Sequence, residues 1–104
     1  MFNPVMNNTK WDELRLVMYA LTPPPLWSTL STNSHKSRPD REWCYHFREG
    51  GYEDILQLDI QVETQEQRER VREALKRVHV PGEETTEGLR VFGHVPDGRA
   101  AEFI

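Results

Sequence analysis

Two periodicities alternate along the chain, and the switch between them sets the expected elements. From Thr9 to Leu21, apolar residues recur three and four apart at Trp11, Leu14, Met18 and Leu21, with Val17 beside them. That spacing lines one face of a helix. The helix is predicted to start at Asn8 or Thr9, with Thr9 and Asp12 related as in a capping box. It must stop by Thr22, because Pro23, Pro24 and Pro25 lack amide donors and restrict the residues before them. A second helical run starts at Thr64, which forms a capping box with Gln67. Its inward stripe is Val71, Leu75 and Val78, with Ala74 alongside.

Between the helices the period drops to two. In residues 41–62, Trp43, Tyr45 and Phe47 share one side, and Glu42, Cys44, His46 and Arg48 the other. Beyond Gly50 and Gly51, the residues Tyr52, Leu56, Leu58, Ile60 and Val62 share a face. This pattern predicts a β-hairpin turning at the paired glycines. A third strand is predicted over 89–95, where Gly93 marks a bulge or a close backbone approach. The order α-β-β-α-β is that of an α+β fold of two layers, a mixed sheet of at least three strands with two helices packed on one face. The second helix is long enough for a right-handed parallel crossover. The helix-facing side of the sheet is predicted to carry Tyr45, Leu58, Ile60 and Val91, and the other side Cys44, His46, Gln57, Asp59 and His94. Such a sheet leaves open edges, which invite a partner strand.

The rest of the chain is read as connection. Residues 1–104 form a single domain, with 1–7 a flexible tail. Residues 28–40, with Leu30 the one aliphatic side chain among Ser, Thr, Asn, His, Lys, Arg and Pro, read as a mobile loop. The loop His79 to Glu87 gathers a histidine and three carboxylates.

Composition narrows the possible partners. The chain has 104 residues, a formal charge of −4 and one cysteine. One cysteine excludes an internal disulfide framework, and no signal-like or membrane-spanning apolar run is present, so a reducing cytoplasmic location is expected, without a membrane partner. The negative charge opposes nucleic acid. The basic residues Arg68, Arg70, Arg72, Lys76 and Arg77 are interrupted by glutamates, so no nucleic-acid partner is expected.

Two groups of side chains carry candidate chemistry. Cys44 and His46 lie two apart, on one side of a strand, and His94 and Asp59 fall near them in the pattern; thiolate, imidazole and carboxylate are the ligand types zinc takes. The same residues have the types of a Cys–His nucleophilic pair with an orienting acid. The loop residues His79, Glu83, Glu84 and Glu87 could ligate a divalent cation, but the alternating oxygen ligands of a calcium loop are missing. Neither pattern is specific, and no cofactor is expected. The apolar area left over, at Leu16, Tyr19 and Trp27, suits a protein contact. The expected role is therefore an interaction or regulatory module that binds another protein or itself as a homodimer. The alternative is a metal-dependent or Cys/His-based enzyme using Cys44, His46, His94 and Asp59 or the His79 to Glu87 loop.

The phrases NNTKWDELRLVM, GGYEDILQLDI and VHVPGEETTEGLRVFGHV, with Trp43 and Phe47 between them, resemble a small bacterial domain family of unknown function. The resemblance covers roughly residues 7–95. It implies a stand-alone soluble bacterial domain, brings no cofactor or substrate, and transfers no functional residue.

Overall fold

The computed structural model describes residues 2–49 and 51–104. Its elements run β1 (Phe2–Pro4), α1 (Asn8–Tyr19), β2 (Leu26–Ser31), β3 (Ile55–Gln61), α2 (Gln65–Val78), β4 (Gly82–Glu84), β5 (Gly88–Phe92) and β6 (His94–Pro96). The architecture is α+β, with both helices over one side of a four-stranded sheet ordered β2-β3-β5-β4. Strands β1 and β6 form a separate two-stranded sheet, so Phe2–Pro4 are held in a pairing and do not belong to a free tail.

Each helix forms for a local reason. Asn7 caps α1, its side chain accepting from the Lys10 amide at 2.8 Å, two residues ahead of the cap expected at Thr9. Thr64 caps α2 as expected, accepting from the Gln67 amide at 3.0 Å. The Gln67 side chain returns a bond to the Glu63 amide at 2.8 Å, which fixes the entry. Trp11, Leu14 and Met18 of α1 meet Val71, Ala74, Leu75 and Val78 of α2 in one buried cluster. The Lys10 ammonium donates to the Val78 carbonyl at 2.7 Å, tying the start of α1 to the end of α2, while Arg70 near the start of α2 donates to Thr22 beyond the end of α1. The helices therefore run antiparallel, and a cation neutralises the carbonyl end of α2.

The core face of the sheet alternates as two-residue periodicity requires. Leu58 and Ile60 of β3 stand opposite Val91 and Leu89 of β5, and all four are buried. Gln57, Asp59 and Arg90 point to the other side, where Arg90 Nε meets Asp59 at 2.7 Å.

Three expectations are corrected. The first strand partner of β3 is not the segment 41–48 but β2, inside the stretch read as a loop. Its Ser and Thr positions suit a strand beside a covering segment, and 35–40 folds back on it: Trp27 and Asp40 exchange both backbone bonds at 2.8 Å, and Ser37 donates to Thr29. Second, every pairing in the sheet is antiparallel, so no parallel crossover forms. Helix α2 delivers the chain to β4, and the Thr85 to Gly88 turn then reverses it into β5. What was read as the His79 to Glu87 loop is thus largely an edge strand and its turn. Third, the edges of the four-stranded sheet are not left open as expected: among the described residues, one is covered along its length and the other at its start. Residues 35–40 cover β2, and the chain end covers the other margin, where Gly82 donates to Glu102 at 2.8 Å and Phe103 bridges Pro81.

Residues 43–49 form a helical turn instead of a strand. Trp43 and Phe47, four apart, are buried, whereas Tyr45 between them is 68% exposed and off the core face. Glu42 organises the turn: its carboxylate accepts from the amides of Cys44, Tyr45 and His46 at 2.9, 2.8 and 2.6 Å. Three aligned N–H groups held by one acid is what a helix start requires. Trp43, Phe47, Trp27, Trp11 and Tyr52 then stack into one aromatic cluster, with Trp43 and Phe47 centroids 4.9 Å apart and Trp27 meeting Phe47 edge-on at 5.1 Å. The expected glycine turn falls on Gly50, which lies outside the described residues; Gly51, at φ 83°, takes the left-handed conformation that glycine tolerates.

Candidate functional site

The outward side of α1 presents apolar side chains to solvent. Leu16 is 53% exposed and Tyr19 55% exposed, and both follow from the helix register: the buried stripe uses Trp11, Leu14 and Met18, which turns Leu16 and Tyr19 away from the core. Val17, Ala20 and Leu21 continue this surface toward α2, where a shallow groove is bounded by Glu13 on one helix and Arg77 on the other. Lys10, donating to the Val78 carbonyl, ties the two helices together beneath this surface. Trp27, expected beside Leu16 and Tyr19 as a contact residue, is instead buried, its indole N–H donating to the Glu42 carbonyl at 3.1 Å. A large aromatic in the core cannot serve an outer contact.

The candidate cluster is distributed over three places. Cys44 and His46 stand on the helical turn, not on a strand, and so lose the common direction that a two-residue spacing would give. His46 Nδ1 contacts Asp40 at 2.8 Å; that hydrogen bond holds the imidazole pKa above its ordinary value. Asp40 and Glu42 are held below the carboxylate range, chiefly by the backbone amides they accept. Asp59 lies on β3 in its ion pair with Arg90. His94 opens β6, and its Nδ1 contacts the Ile55 carbonyl at 3.0 Å. Among the described residues, no three His, Cys, Asp or Glu side chains are placed to hold a metal ion.

The second candidate group is spread along β4 and its flanks. His79 ends α2 in a left-handed conformation and stacks on Phe103, ring centroids 4.4 Å apart. Glu83 faces Arg90 at 3.5 Å. Glu84 joins Arg72 at 2.8 Å and Arg68 at 3.3 Å, and these cations keep its carboxyl pKa low. Glu87 lies in the turn between β4 and β5. Arg68 also donates to the carbonyls of Thr85, Thr86 and Gly88, so this arginine is a clamp that shapes the turn.

On the opposite side of the molecule a cleft opens between the outer face of the sheet and the segment 94–102. Phe92, Arg99 and Glu102 line it, and none of them was among the expected site residues. The available signal was Phe92 itself, an aromatic on the strand face that otherwise carries Arg90.

No helix among the described residues is long and apolar enough to cross a membrane. No curated protein and no solved structure matches the chain. A family model does match over residues 2–98, nearly the whole length, so the chain belongs to the family of unknown function DUF6678.

Proposed function

We propose that this domain is a protein-interaction module that pairs with a second copy of itself through the outer side of α1. The observation that carries the reading is the exposure of Leu16 and Tyr19 on a pinned helix, bordered by Val17, Ala20 and Leu21. Fully burying a leucine contributes about 1.5–3 kcal/mol, so covering the exposed half of Leu16 contributes about half of that, and tyrosine is among the residues that anchor interfaces. The groove is flanked by opposite charges, Glu13 and Arg77, and a two-fold axis through it brings each onto the other's counterpart. Occupied sheet margins favour this helical surface over strand addition.

Other partners have less support. Arg68 and Arg72 are bonded to Glu84, and Arg70 to Glu66, so the basic side of α2 is largely neutralised toward nucleic acid. In this reading the domain works in the bacterial cytoplasm, where its one thiol, Cys44, remains reduced.

The test is sedimentation equilibrium over a wide concentration range. Wild type is expected to dimerise, and a Leu16→Glu, Tyr19→Glu double variant to be monomeric with unchanged circular dichroism. A wild-type monomer throughout the range, or a dimer insensitive to the substitutions, would exclude this contact.

A further inference from the structure

The cleft on the far side of the sheet is a half-open depression of about 460 Å³, within the range of small-molecule sites. Its floor is Leu56 of β3 and Phe92 of β5; its walls come from Phe2 and β6, which pair at Phe2 and Pro96, and from residues 99–102. The small side chains of Ala100 and Ala101 leave the volume open.

Five polar side chains stand around this apolar floor: Gln57, Glu83, His94, Arg99 and Glu102. Arg99 and Glu102 both line the cleft, and no ion pair or side-chain hydrogen bond joins either to another described residue. Glu83 lies at the rim, but its carboxylate already faces Arg90. Gln57 already donates to Asp59 at 3.4 Å, and the remaining group is His94. Its Nδ1 is 3.0 Å from the Ile55 carbonyl, and a carbonyl oxygen only accepts, so Nδ1 carries the hydrogen. In the neutral ring, Nε2 is then an acceptor. Apart from the partnered Glu83 and Gln57, the cleft thus offers a guanidinium, a carboxylate and an imidazole nitrogen that accepts when the ring is neutral, around an aromatic surface.

We propose that the cleft binds a small zwitterion with an apolar body, of which an apolar α-amino acid is the simplest member. Arg99 takes the carboxylate, for which a guanidinium is geometrically matched. Glu102 and His94 Nε2 accept from the ammonium, and the apolar side chain lies against Phe92 and Leu56. The site is independent of the α1 surface, so either reading can fail alone.

Calorimetric titration of the full chain with three probes tests this. They are L-phenylalanine, N-acetyl-L-phenylalanine, which lacks the ammonium, and L-phenylalaninamide, which lacks the carboxylate. The expected result is saturable binding of L-phenylalanine, at least about tenfold weaker binding of the other two, and a similar loss in Arg99→Ala and Glu102→Gln. Both substituted side chains are at the surface, and unchanged circular dichroism would show that the variants fold. The proposal is overturned by no binding of any probe, or by undiminished binding in Arg99→Ala or Glu102→Gln. Equal binding of the acetylated probe overturns it in favour of an anion site such as a peptide C-terminus takes. Equal binding of the amide overturns it in favour of a cation site.

Discussion

Alanine substitution at Trp43, Tyr45 and Phe47 distinguishes a helical turn from a strand at residues 43–49. On a strand, all three side chains share one face and lose comparable stability. In the turn, Trp43 and Phe47 are 0% and 3% exposed and Tyr45 is 68% exposed. Truncating a buried aromatic costs about 3–5 kcal/mol, so Trp43→Ala and Phe47→Ala are expected in that range. Tyr45→Ala should stay within about 0.5 kcal/mol of wild type, as surface substitutions do. Trp43 allows a finer measurement, because its indole N–H donates to the Pro25 carbonyl at 2.9 Å in a buried position. Trp43→Phe keeps most of the ring contact with Phe47 and Trp27 but leaves that carbonyl without its donor, at a cost of about 1–3 kcal/mol. Against a total stability of about 5–15 kcal/mol for a typical domain, the alanine variants at 43 and 47 lose a large share of the fold. Urea unfolding followed by far-ultraviolet circular dichroism reads all four, since removing a tryptophan alters the fluorescence signal itself. A Tyr45→Ala loss equal to that of Phe47→Ala would falsify the helical turn.

Two further outcomes follow from local geometry. A Cβ on Gly93 would lie 1.9 Å from the Ile55 carbonyl oxygen and 3.1 Å from Trp11 Cζ2, while the Gly93 backbone bonds Leu56 and Val5; Gly93→Ala should cost about 1–3 kcal/mol or more by urea unfolding, and a neutral substitution would contradict the close approach. The acids of the 40–46 turn and its histidine make stability pH-dependent in opposite directions. The lowered pKa values of Asp40 and Glu42 mean that their contribution is present above their ordinary values, 3.8 and 4.5, and lost as pH falls further. The raised pKa of His46 means that its contribution is full below 6.5 and lost as pH rises through the folded value. The urea midpoint of wild type should therefore fall relative to His46→Ala as pH rises above 6.5, and a constant difference on the alkaline side of that value would exclude the Asp40 partnership.

The helices were the most legible part of the chain, because their stripes are long and their caps are local. Val71, Leu75 and Val78 are buried as the spacing requires, and so are Trp11, Leu14 and Met18. Strands β3 and β5 were legible too, through Leu58, Ile60, Leu89 and Val91. The 43–49 turn was not, because Trp43, Tyr45 and Phe47 alternate like a strand although only the first and last pack inward; the acid at Glu42, placed before three amides, was the helical cue. Strand β2 was hidden by its Ser and Thr residues, which sit beside a covering segment that no local pattern reveals. The reversal from β4 into β5 lay in a seven-residue stretch, too short for periodicity to separate two strands from a loop. Of the candidate site residues, Leu16 and Tyr19 are where a helix register puts them. The grouping of Cys44, His46, Asp59 and His94 rested on the misread hairpin and dispersed with it. The cleft depends on the fold-back of 94–102, a long-range event without a local signature.

The covered margins of the sheet bear on how the molecule behaves when crowded. Amyloid-type stacking grows where a strand border offers unsatisfied amides to another chain. Here the 35–40 return covers the β2 border and the residues near Phe103 cover the start of the β4 border, so little of either is left to a second molecule. Resistance to fibril formation is thus set by how firmly two short segments hold, and not by the hydrophobicity of the strands they shield.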